Sequence, residues 1–339
     1  MSTLVGDGIE NPGNASALVA AASMFGWDCA FLDRAGLGLA PALAPEDLGG
    51  YSPVLALENV PGAESIHGFT LAGPRPALLV GNERRGISRD LLDRVDRTIE
   101  IPLASRRLDT INVAAAAAVA LYYLARGGGG KLRTRAEPNR HRPEVLFLGP
   151  GDSIELGSAL RSAAAFGWGR VLVDDRSNVW FGTDRVTRSL GRGAARRSRN
   201  AIHVLPAGRL HAFDEACVVT RGEGEPLHRV DLARGPRQLL VIADEGALDV
   251  ARENLGRLAP RVRLASLDLP RPDFQYRFKL VASIVLAEAG RQVGVRLRPG
   301  RGRARPPFYD RALPLLADEV GVPLAQDRGF AVALEDLPL

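Results

Sequence analysis

The feature that most constrains this 339-residue chain is an internal repeat. Residues 11–27, NPGNASALVAAASMFGW, align without a gap to residues 152–168, DSIELGSALRSAAAFGW. Each copy follows a short strand-like stretch and precedes an apolar run that ends in an acidic residue and arginine, CAFLDR in the first copy and VLVDDR in the second. We interpret the repeat as a duplicated strand-helix-strand unit, which predicts an α/β fold with parallel sheets in both halves.

The composition fits a soluble globular protein of two domains. Apolar residues make up 46% and charged residues 24% of the chain, so substantial cores can form. No apolar run reaches the roughly 18 residues of a membrane span, and the first residues lack the pattern of a secretory signal. Cys29 and Cys217 are the two cysteines, too few for a disulfide scaffold or a four-cysteine zinc site. These features predict a cytoplasmic protein without a metal site.

Four consecutive glycines at 127–130 separate the two copies, and a stretch rich in basic residues and proline follows them. Such a composition is typical of a linker. We therefore predict a first domain over residues 1–126, a linker over 127–143 and a second, divergent domain over 144–294. Residues 295–339 form a basic C-terminal tail.

Arginine is concentrated in three segments, which are 126–142, 185–199 and 291–305. The middle one holds six arginines and no acidic residue. Because arginine pairs with phosphate oxygens through a planar fork, we expect this segment to bind an RNA backbone. A solvated surface is an equal alternative on charge alone, whereas membrane binding lacks an amphipathic anchor. The predicted RNA-binding residues are Arg185, Arg188, Arg192, Arg196, Arg197 and Arg199.

Three polar stretches of the first copy predict a ligand site. They are IENPGNASA at 9–17, LLVGNERRGIS at 78–88 and the loop and Ala-rich helix that follow Ile101. Glycines in the second stretch allow close chain approach, and a carboxylate lies between them. Loops at the carboxyl ends of parallel strands present the free backbone groups that usually bind ligands. Thr110 is the predicted N-cap of the last helix, with Asp109 as the alternative.

Together these stretches resemble the three signature motifs of the SpoU family of SPOUT RNA methyltransferases. The matching segments are Asn11–Asn14, Gly81–Gly86, and Ile101–Leu103 with Thr110–Val113. The resemblance implies a trefoil knot, bound S-adenosylmethionine and methyl transfer to a ribose 2′-hydroxyl of tRNA or rRNA. It implies these cofactor-binding residues: Gly81, Asn82, Glu83, Gly86, Ile101, Leu103, Thr110, Ile111 and Asn112.

The two copies depart from the family pattern in complementary ways. The first copy has Ala20 where the family has an arginine in motif one. The second copy has Arg161 at the matching position, but its motif two is degraded, with Ala243 and Leu248 in place of glycines. Since members of the family are usually homodimers with the active site at the subunit interface, we expect the halves to pair as a pseudo-dimer within a monomeric chain. One composite site would remain.

We expect Arg161, Asn112, Glu155 and Asn14 to carry the reaction at this site. Arginine is effectively never deprotonated in proteins, so Arg161 would grip the phosphate and orient the hydroxyl. Glu155 or an RNA phosphate oxygen would accept the proton, and Asn112 with Thr110 would hold the ribose or the loop. The alternative for Arg161 is an ordinary ion pair with an acidic residue.

Two other functions are compatible with parts of the sequence. LFLGPGDSIELG at 146–157 looks like a glycine-rich nucleotide loop, but a lone loop of this kind is weak evidence. Its gapless alignment with the first copy, which has no such loop, argues against a dinucleotide or class I methyltransferase site. The stronger alternative is a SPOUT-like protein that binds RNA without turnover.

Overall fold

The computed structural model describes residues 1–32, 37–104, 110–127, 141–196, 200–207, 213–235, 237–249, 259–271 and 273–294. Residues 1–299 form one compact unit that contains both halves of the chain. Most of the predicted linker and the whole predicted tail lie outside the described residues, as do Arg197 and Arg199.

The first half contains a six-stranded parallel sheet in the order β2-β1-β5-β3-β6-β4. Its strands are β1 (Thr3–Asp7), β2 (Asp28–Leu32), β3 (Val54–Leu57), β4 (Glu64–Ser65), β5 (Ala77–Val80) and β6 (Arg97–Glu100). Its helices are α1 (Pro12–Met24), α2 (Arg89–Leu92) and α3 (Val113–Leu124), with 3-10 turns at Pro45–Gly50 and Ile66–Gly68.

The second half contains a seven-stranded parallel sheet in the order β11-β13-β10-β12-β7-β8-β9. Its strands are β7 (Glu144–Leu148), β8 (Arg170–Asp174), β9 (His203–Pro206), β10 (Glu215–Thr220), β11 (Glu225–Pro226), β12 (Gln238–Ala243) and β13 (Arg261–Ser266). Its helices are α4 (Ser153–Ala165), α5 (Arg185–Ala194) and α6 (Phe278–Val293), with a 3-10 turn at Glu245–Ala247.

The two sheets have the same topology, because β8-β7-β12-β10-β13-β11 repeats the order β2-β1-β5-β3-β6-β4. The predicted parallel α/β architecture of both halves is confirmed. Local geometry agrees as well, since Gly8 and Gly149 both have positive φ, +60° and +62°, as do Gly26 and Gly167 in the two Phe-Gly-Trp turns. Within the described residues, α5 and β9 are additions of the second half. No helix in the described part of the chain is long and apolar enough to cross a membrane.

Helices α3 and α6 pack against each other and join the halves. Both are buried almost throughout, which explains their alanine-rich and apolar sequences. The Tyr123 hydroxyl donates to Glu288 Oε2 at 2.9 Å, and Glu288 is fully buried. Arg291 pairs with the same carboxylate, and Gln292 donates to it at 2.9 Å. A buried carboxylate with this many partners restricts how the halves can pack, since misplacement would leave it uncompensated.

His67 makes this interface sensitive to acid. Its ring is 2% exposed and meets Tyr123 edge-on, with ring centroids 4.5 Å apart. Burial, reinforced by the nearby Arg291 cation, lowers the pKa of His67 to about 3. The unfolded chain binds a proton below the ordinary pKa of 6.5, whereas the folded chain does not. Above pH 6.5 the neutral His67 ring therefore does not reduce the free energy of unfolding. Below that value the free energy of unfolding falls as the pH decreases.

We expect His67→Phe to remove part of the acid sensitivity of folding. Between pH 7 and 5, His67 should cost the wild type about 2 kcal/mol of unfolding free energy. Urea denaturation at the two pH values measures the difference. His203→Phe is the control for loss of an exposed histidine. A His67→Phe variant with the full wild-type pH dependence would show that His67 is not responsible.

Candidate active site

The loop after β5 is closed on itself by backbone contacts. Asn82 N–H donates to the Gly86 carbonyl at 3.0 Å, and Gly86 N–H donates to the Asn82 carbonyl at 2.8 Å. A Cβ on Gly81 would lie 2.1 Å from the Gly86 carbonyl carbon, and Gly86 has φ of +73°. Glycine is therefore required at both corners. Asn82 holds the loop down, since its side-chain amide donates to the Gly8 carbonyl at 2.7 Å.

Glu83 and Asn112 connect this loop to the start of α3. Asn112 Nδ2 donates to Glu83 Oε1 and to Asn14 Oδ1, both at 2.9 Å. Val113 N–H also donates to Glu83 Oε1, at 3.3 Å. Three of the sequence-predicted residues, one from each motif, thus share one hydrogen-bond network at the carboxyl edge of the first sheet.

The N-cap of α3 is Asn112, so the prediction of Thr110 was wrong. Asn112 Oδ1 accepts from the N–H groups of Ala114 and Ala115 at 3.1 and 3.3 Å. Asn112 lies directly before the first helical residue, where its side-chain oxygen can reach the free N–H groups. Thr110 lies two residues earlier and has other partners.

Arg161 reaches this site from α4 of the second half. Its Nε donates to the Thr110 carbonyl at 3.0 Å, and its Nη2 donates to Thr110 Oγ1 at 2.7 Å. Nη1 lies 3.8 Å from Glu83 Oε1. The arginine is 4% exposed, so it is a buried cation held across the boundary between the halves. A backbone bond from Ala104 N–H to the Ala165 carbonyl, at 2.9 Å, attaches the other end of the same loop to α4.

Glu155 contacts the start of α6, and its predicted role as proton acceptor remains a prediction. Its Oε2 accepts from Lys279 N–H at 2.9 Å, and Lys279 Nζ lies 3.1 Å from Oε1. Glu155 therefore caps the start of α6, and both oxygens are engaged there. The equivalent residue of the first half, Asn14, also lies at the start of the corresponding helix, where its Oδ1 accepts from the side-chain amide of Asn112.

An apolar wall lies beside the polar network. Ile101 is buried, whereas Leu103 and Ile111 are half-buried and pack partly against the core. All three belong to the segment that joins β6 to α3, whose residues 105–109 lie outside the described residues. Half-exposed apolar side chains beside a few polar groups are typical of a pocket for a small organic ligand.

The corresponding place in the second half is filled by the protein itself. Phe274 and Tyr276, in the connection from β13 to α6, stack with ring centroids 6.2 Å apart, and the Arg221 guanidinium lies over both rings. Arg221 also pairs with Glu245, the counterpart of Glu83, at 2.7 Å. The Tyr276 hydroxyl donates to the carbonyl of Ala243, the counterpart of Gly81, at 2.6 Å. Side chains of the second half thus pack directly against its counterpart of the Gly81–Gly86 loop.

The arginine-rich segments divide into structural and surface residues. Arg126 and Arg142 lie over the rings of Tyr122 and Trp168, and Arg291 pairs with Glu288. These three arginines stabilise the fold. On α5, Arg185 and Arg192 are exposed, Arg188 is half-buried, and Arg196 follows the helix end. Arg196 Nη1 donates to Thr110 Oγ1 at 3.1 Å, so it lies at the site itself.

Two carboxylates that the motifs did not single out support the loop. Ser88 N–H donates to Asp7 Oδ2 at 2.7 Å, and Ile87 N–H donates to Glu58 Oε2 at 3.3 Å. Asp7 ends β1 and Glu58 follows β3, so both lie at the carboxyl edge of the sheet. The sequence signal that could have identified these two residues is an acidic side chain at the end of a predicted strand or just after it.

One edge of the first sheet therefore brings together the Gly81–Gly86 loop, the capped start of α3 and Arg161 from the second half. Residues 39–122 match the profile of the SpoU rRNA methylase family. We refer to residues 39–122 as the SpoU segment, because they are similar to that family. It includes the Gly81–Gly86 loop and the start of α3, whereas the first motif and the second half lie outside the match. No curated protein matches the chain.

Solved structures with similarity to the chain include RNA methyltransferases. A TrmH-family protein from Porphyromonas gingivalis is 23% identical, with a TM-score of 0.30 over 35% of this chain and 57% of its own. A protein from work on 2-OH methylation of C/U34 on tRNA is 26% identical, with a TM-score of 0.32 over 38% and 95%. AviRb from Streptomyces viridochromogenes, solved with AdoMet, is 24% identical, with a TM-score of 0.31 over 37% and 56%. The chain therefore spans little more than half the length of the first and third.

Proposed function

We propose that this protein transfers a methyl group from S-adenosylmethionine to a ribose 2′-hydroxyl of tRNA or rRNA, at one site between its halves. The observation that carries the proposal is Arg161, which crosses from α4 to Thr110 and Glu83 of the SpoU segment. A buried guanidinium supplied by a second domain supports a site that neither half could form alone.

The first half fits S-adenosylmethionine better than the second. Gly81 and Gly86 leave the two corners of the loop without side chains, and Leu103 and Ile111 offer an apolar surface for an adenosyl group. The backbone of Ile101, Thr110 and the capped α3 would supply polar contacts. In the second half, Phe274, Tyr276 and Arg221 fill the equivalent place. We therefore expect one cofactor per chain.

The bound cofactor would supply an already activated sulfonium methyl group, so the protein has mainly to align the hydroxyl. Arg161 is suited to this, because its guanidinium, held in place by Thr110, carries a positive charge that would attract a phosphate next to the reacting ribose. Arg161 stays protonated and cannot accept the hydroxyl proton. Since Glu155 is engaged by Lys279, an RNA phosphate oxygen is the acceptor we propose. Asn112 and Asn14 would hold the start of α3 in place.

The α5 arginines support RNA as the substrate. Arg185, Arg188 and Arg192 follow one another on α5, at spacings of three and four residues that place them on one side of the helix. They would bind phosphates without regard to sequence, in a salt-dependent way. The RNA would then extend from the site along α5.

Several expectations of architecture accompany this proposal. The matching strand orders and the matching glycine turns support a tandem duplication whose halves act as a pseudo-dimer in a monomer. The trefoil knot implied by the family and the domain limits at 126, 143 and 294 remain predictions.

Calorimetric titration with S-adenosylmethionine should give about one site per chain. Incubation of the intact chain with total RNA and methyl-labelled cofactor should label RNA, and mapping should place the label on a ribose 2′-oxygen. Two sites per chain would contradict the filled second pocket. Absence of cofactor binding together with retained RNA affinity would overturn the proposal and identify a SPOUT-like RNA-binding protein without turnover. Labelling of a base would overturn the ribose assignment.

A further inference from the structure

A polar cavity opens in the second half, between the start of α4, the start of α5 and the loop that leads to α5. Its volume is about 460 Å³, within the range of sites that bind small organic groups. It is lined by polar residues that include Asp152, Ser177, Asn178, Thr183, Asp184 and Thr187. Their carboxylate, amide and hydroxyl groups suit a ligand that forms hydrogen bonds rather than an apolar one.

The loop at the edge of this cavity is held in place and carries the aromatic side chain of Phe181. Asp175 accepts hydrogen bonds from the backbone N–H groups of residues 179–181, at 2.8, 3.0 and 2.6 Å. A Cβ on Gly182 would lie 2.1 Å from the Asn178 carbonyl oxygen, so the loop closes too tightly for any other residue at that position. The Phe181 side chain nevertheless remains exposed to solvent. A preordered loop therefore presents an aromatic ring beside the cavity.

Other exposed side chains surround the cavity. Ile154, Phe181 and Val186 are large, exposed apolar residues, and each lies next to a lining residue in the sequence. Apolar side chains clustered in contact with water indicate a binding surface. Arg185 and Arg192 are exposed on α5, which begins at the cavity. Proteins bind single-stranded RNA with this combination: bases stack on aromatic rings, polar groups contact the base edges, and arginines bind the phosphates.

The carboxylates of Asp152 and Asp184 favour a base over a phosphate as the occupant. Asp152 Oδ1 accepts from the N–H groups of Ile154 and Glu155 at 2.7 and 2.8 Å, and Asp184 Oδ2 accepts from Thr187 N–H at 2.8 Å. A carboxylate has about four acceptor positions, so both groups can cap a helix and bind a further donor. They would repel a phosphate but accept from the amino group of a base. Uracil has no amino group and presents carbonyl oxygens instead.

We propose that this cavity binds an unpaired RNA base that carries an amino group. The base would stack on Phe181, and the carboxylates of Asp152 and Asp184 would accept from its amino group. Asp152 caps α4 nine residues before Arg161, a separation of roughly 13 Å along a helix axis. The bound base would therefore flank the methylated nucleotide and determine a sequence preference. The inference deepens the proposed function, on which it rests for RNA as the ligand.

The binding of two uniform RNA strands tests the preference for an amino group. Fluorescein-labelled oligocytidylate and oligouridylate of equal length carry the same number of phosphates, so phosphate contacts cancel in the ratio of their dissociation constants. Fluorescence anisotropy should show that the wild type binds oligocytidylate at least about fivefold more tightly. Equal affinities for the two strands would overturn the proposal.

The double variant Asp152→Asn with Asp184→Asn should remove this preference. Asparagine is as good an N-cap as aspartate, so α4 and α5 keep their caps, whereas the new amide groups can donate to a uracil carbonyl. The matched control is Asp28→Asn with Asp93→Asn, which removes two exposed carboxylates of the first half and should leave the ratio unchanged. A cavity variant with the wild-type ratio would refute the role of the two carboxylates.

Phe181→Ala should weaken the binding of both strands roughly tenfold, because every base has a face that can stack. Val262→Ala is the matched control, since Val262 is 43% exposed, against 44% for Phe181, and lies near the amino end of β13 at the opposite edge of the sheet. Thermal unfolding of both variants should match that of the wild type. If Phe181→Ala binds both strands as tightly as Val262→Ala does, Phe181 is not a stacking platform and the proposal is refuted.

The results separate this inference from the proposed function. If the wild type discriminates between the strands but methylates no RNA, the proposed function fails and the base site stands. If it methylates RNA but Phe181→Ala behaves like Val262→Ala, the base site is refuted and the proposed function stands. A wild type that binds neither strand overturns the base site, and the methylation assay on total RNA then decides the proposed function.

Discussion

Arg161→Ala should reduce methyl transfer by about 10²- to 10³-fold, the cost of removing one preorganised donor from an active site. The effect should fall on turnover, because the guanidinium orients the substrate hydroxyl and lies beside Glu83, 3.8 Å away, without forming part of the glycine loop. Single-turnover kinetics at saturating cofactor measures it, and calorimetry should give a cofactor affinity close to that of the wild type.

Two further variants sharpen this prediction. Arg161→Lys keeps the charge but loses the fork that contacts the Thr110 carbonyl and hydroxyl together, so it should recover only part of the rate. Arg170→Ala is the control for loss of an arginine, since Arg170 is exposed and pairs with Glu144 at the start of β7. Turnover in Arg161→Ala equal to that of Arg170→Ala would refute the composite site.

Gly81→Ala should weaken cofactor binding by roughly 5- to 150-fold. The added methyl group would lie 2.1 Å from the Gly86 carbonyl carbon, so the loop could not close through its two Asn82–Gly86 hydrogen bonds. Overpacking of this kind costs about 1–3 kcal/mol when the backbone can shift, and each 1.4 kcal/mol of lost binding is roughly tenfold. Calorimetric titration with S-adenosylmethionine measures the change.

The loss must be distinguished from general unfolding. Gly49→Ala is the matched control, because nothing lies within 4 Å of a Cβ at Gly49 in the same half. RNA affinity should also survive in Gly81→Ala, since the α5 arginines belong to the second half. A Gly81→Ala variant that binds cofactor as tightly as Gly49→Ala would show that the loop after β5 is not the cofactor site.

The parallel α/β fold of both halves could be predicted, because the two copies of the repeat keep the same order of strands and helices and the same turns. Gly26 and Gly167 illustrate this, since each supplies a positive φ at the same point of a Phe-Gly-Trp turn. The motifs also predicted the meeting of Asn14, Glu83 and Asn112. Each of these residues follows a strand of one parallel sheet, and the carboxyl ends of such strands share an edge.

Other parts of the site depend on tertiary contacts that no local pattern records. Glu155 stood at a motif position, but its carboxylate caps α6, more than 120 residues farther along the chain. Arg196 was predicted as one RNA-binding arginine among six, yet it donates to Thr110 Oγ1 of the first half, 86 residues earlier in the chain. The filled pocket could not be predicted either, because Arg221, Phe274 and Tyr276 come together from separate connections of the second sheet.

The central claim is that one working site forms within a single chain, from the loops of one half and the arginine of the other. Coexpression of Arg161→Ala and Gly81→Ala chains, followed by the methylation assay on total RNA, tests it directly. One chain keeps the cofactor loop and the other keeps the arginine. If the site is intramolecular, the mixture should be no more active than the sum of its parts. Recovery of a substantial fraction of wild-type activity would mean that the halves of different chains complete each other, and would contradict the claim.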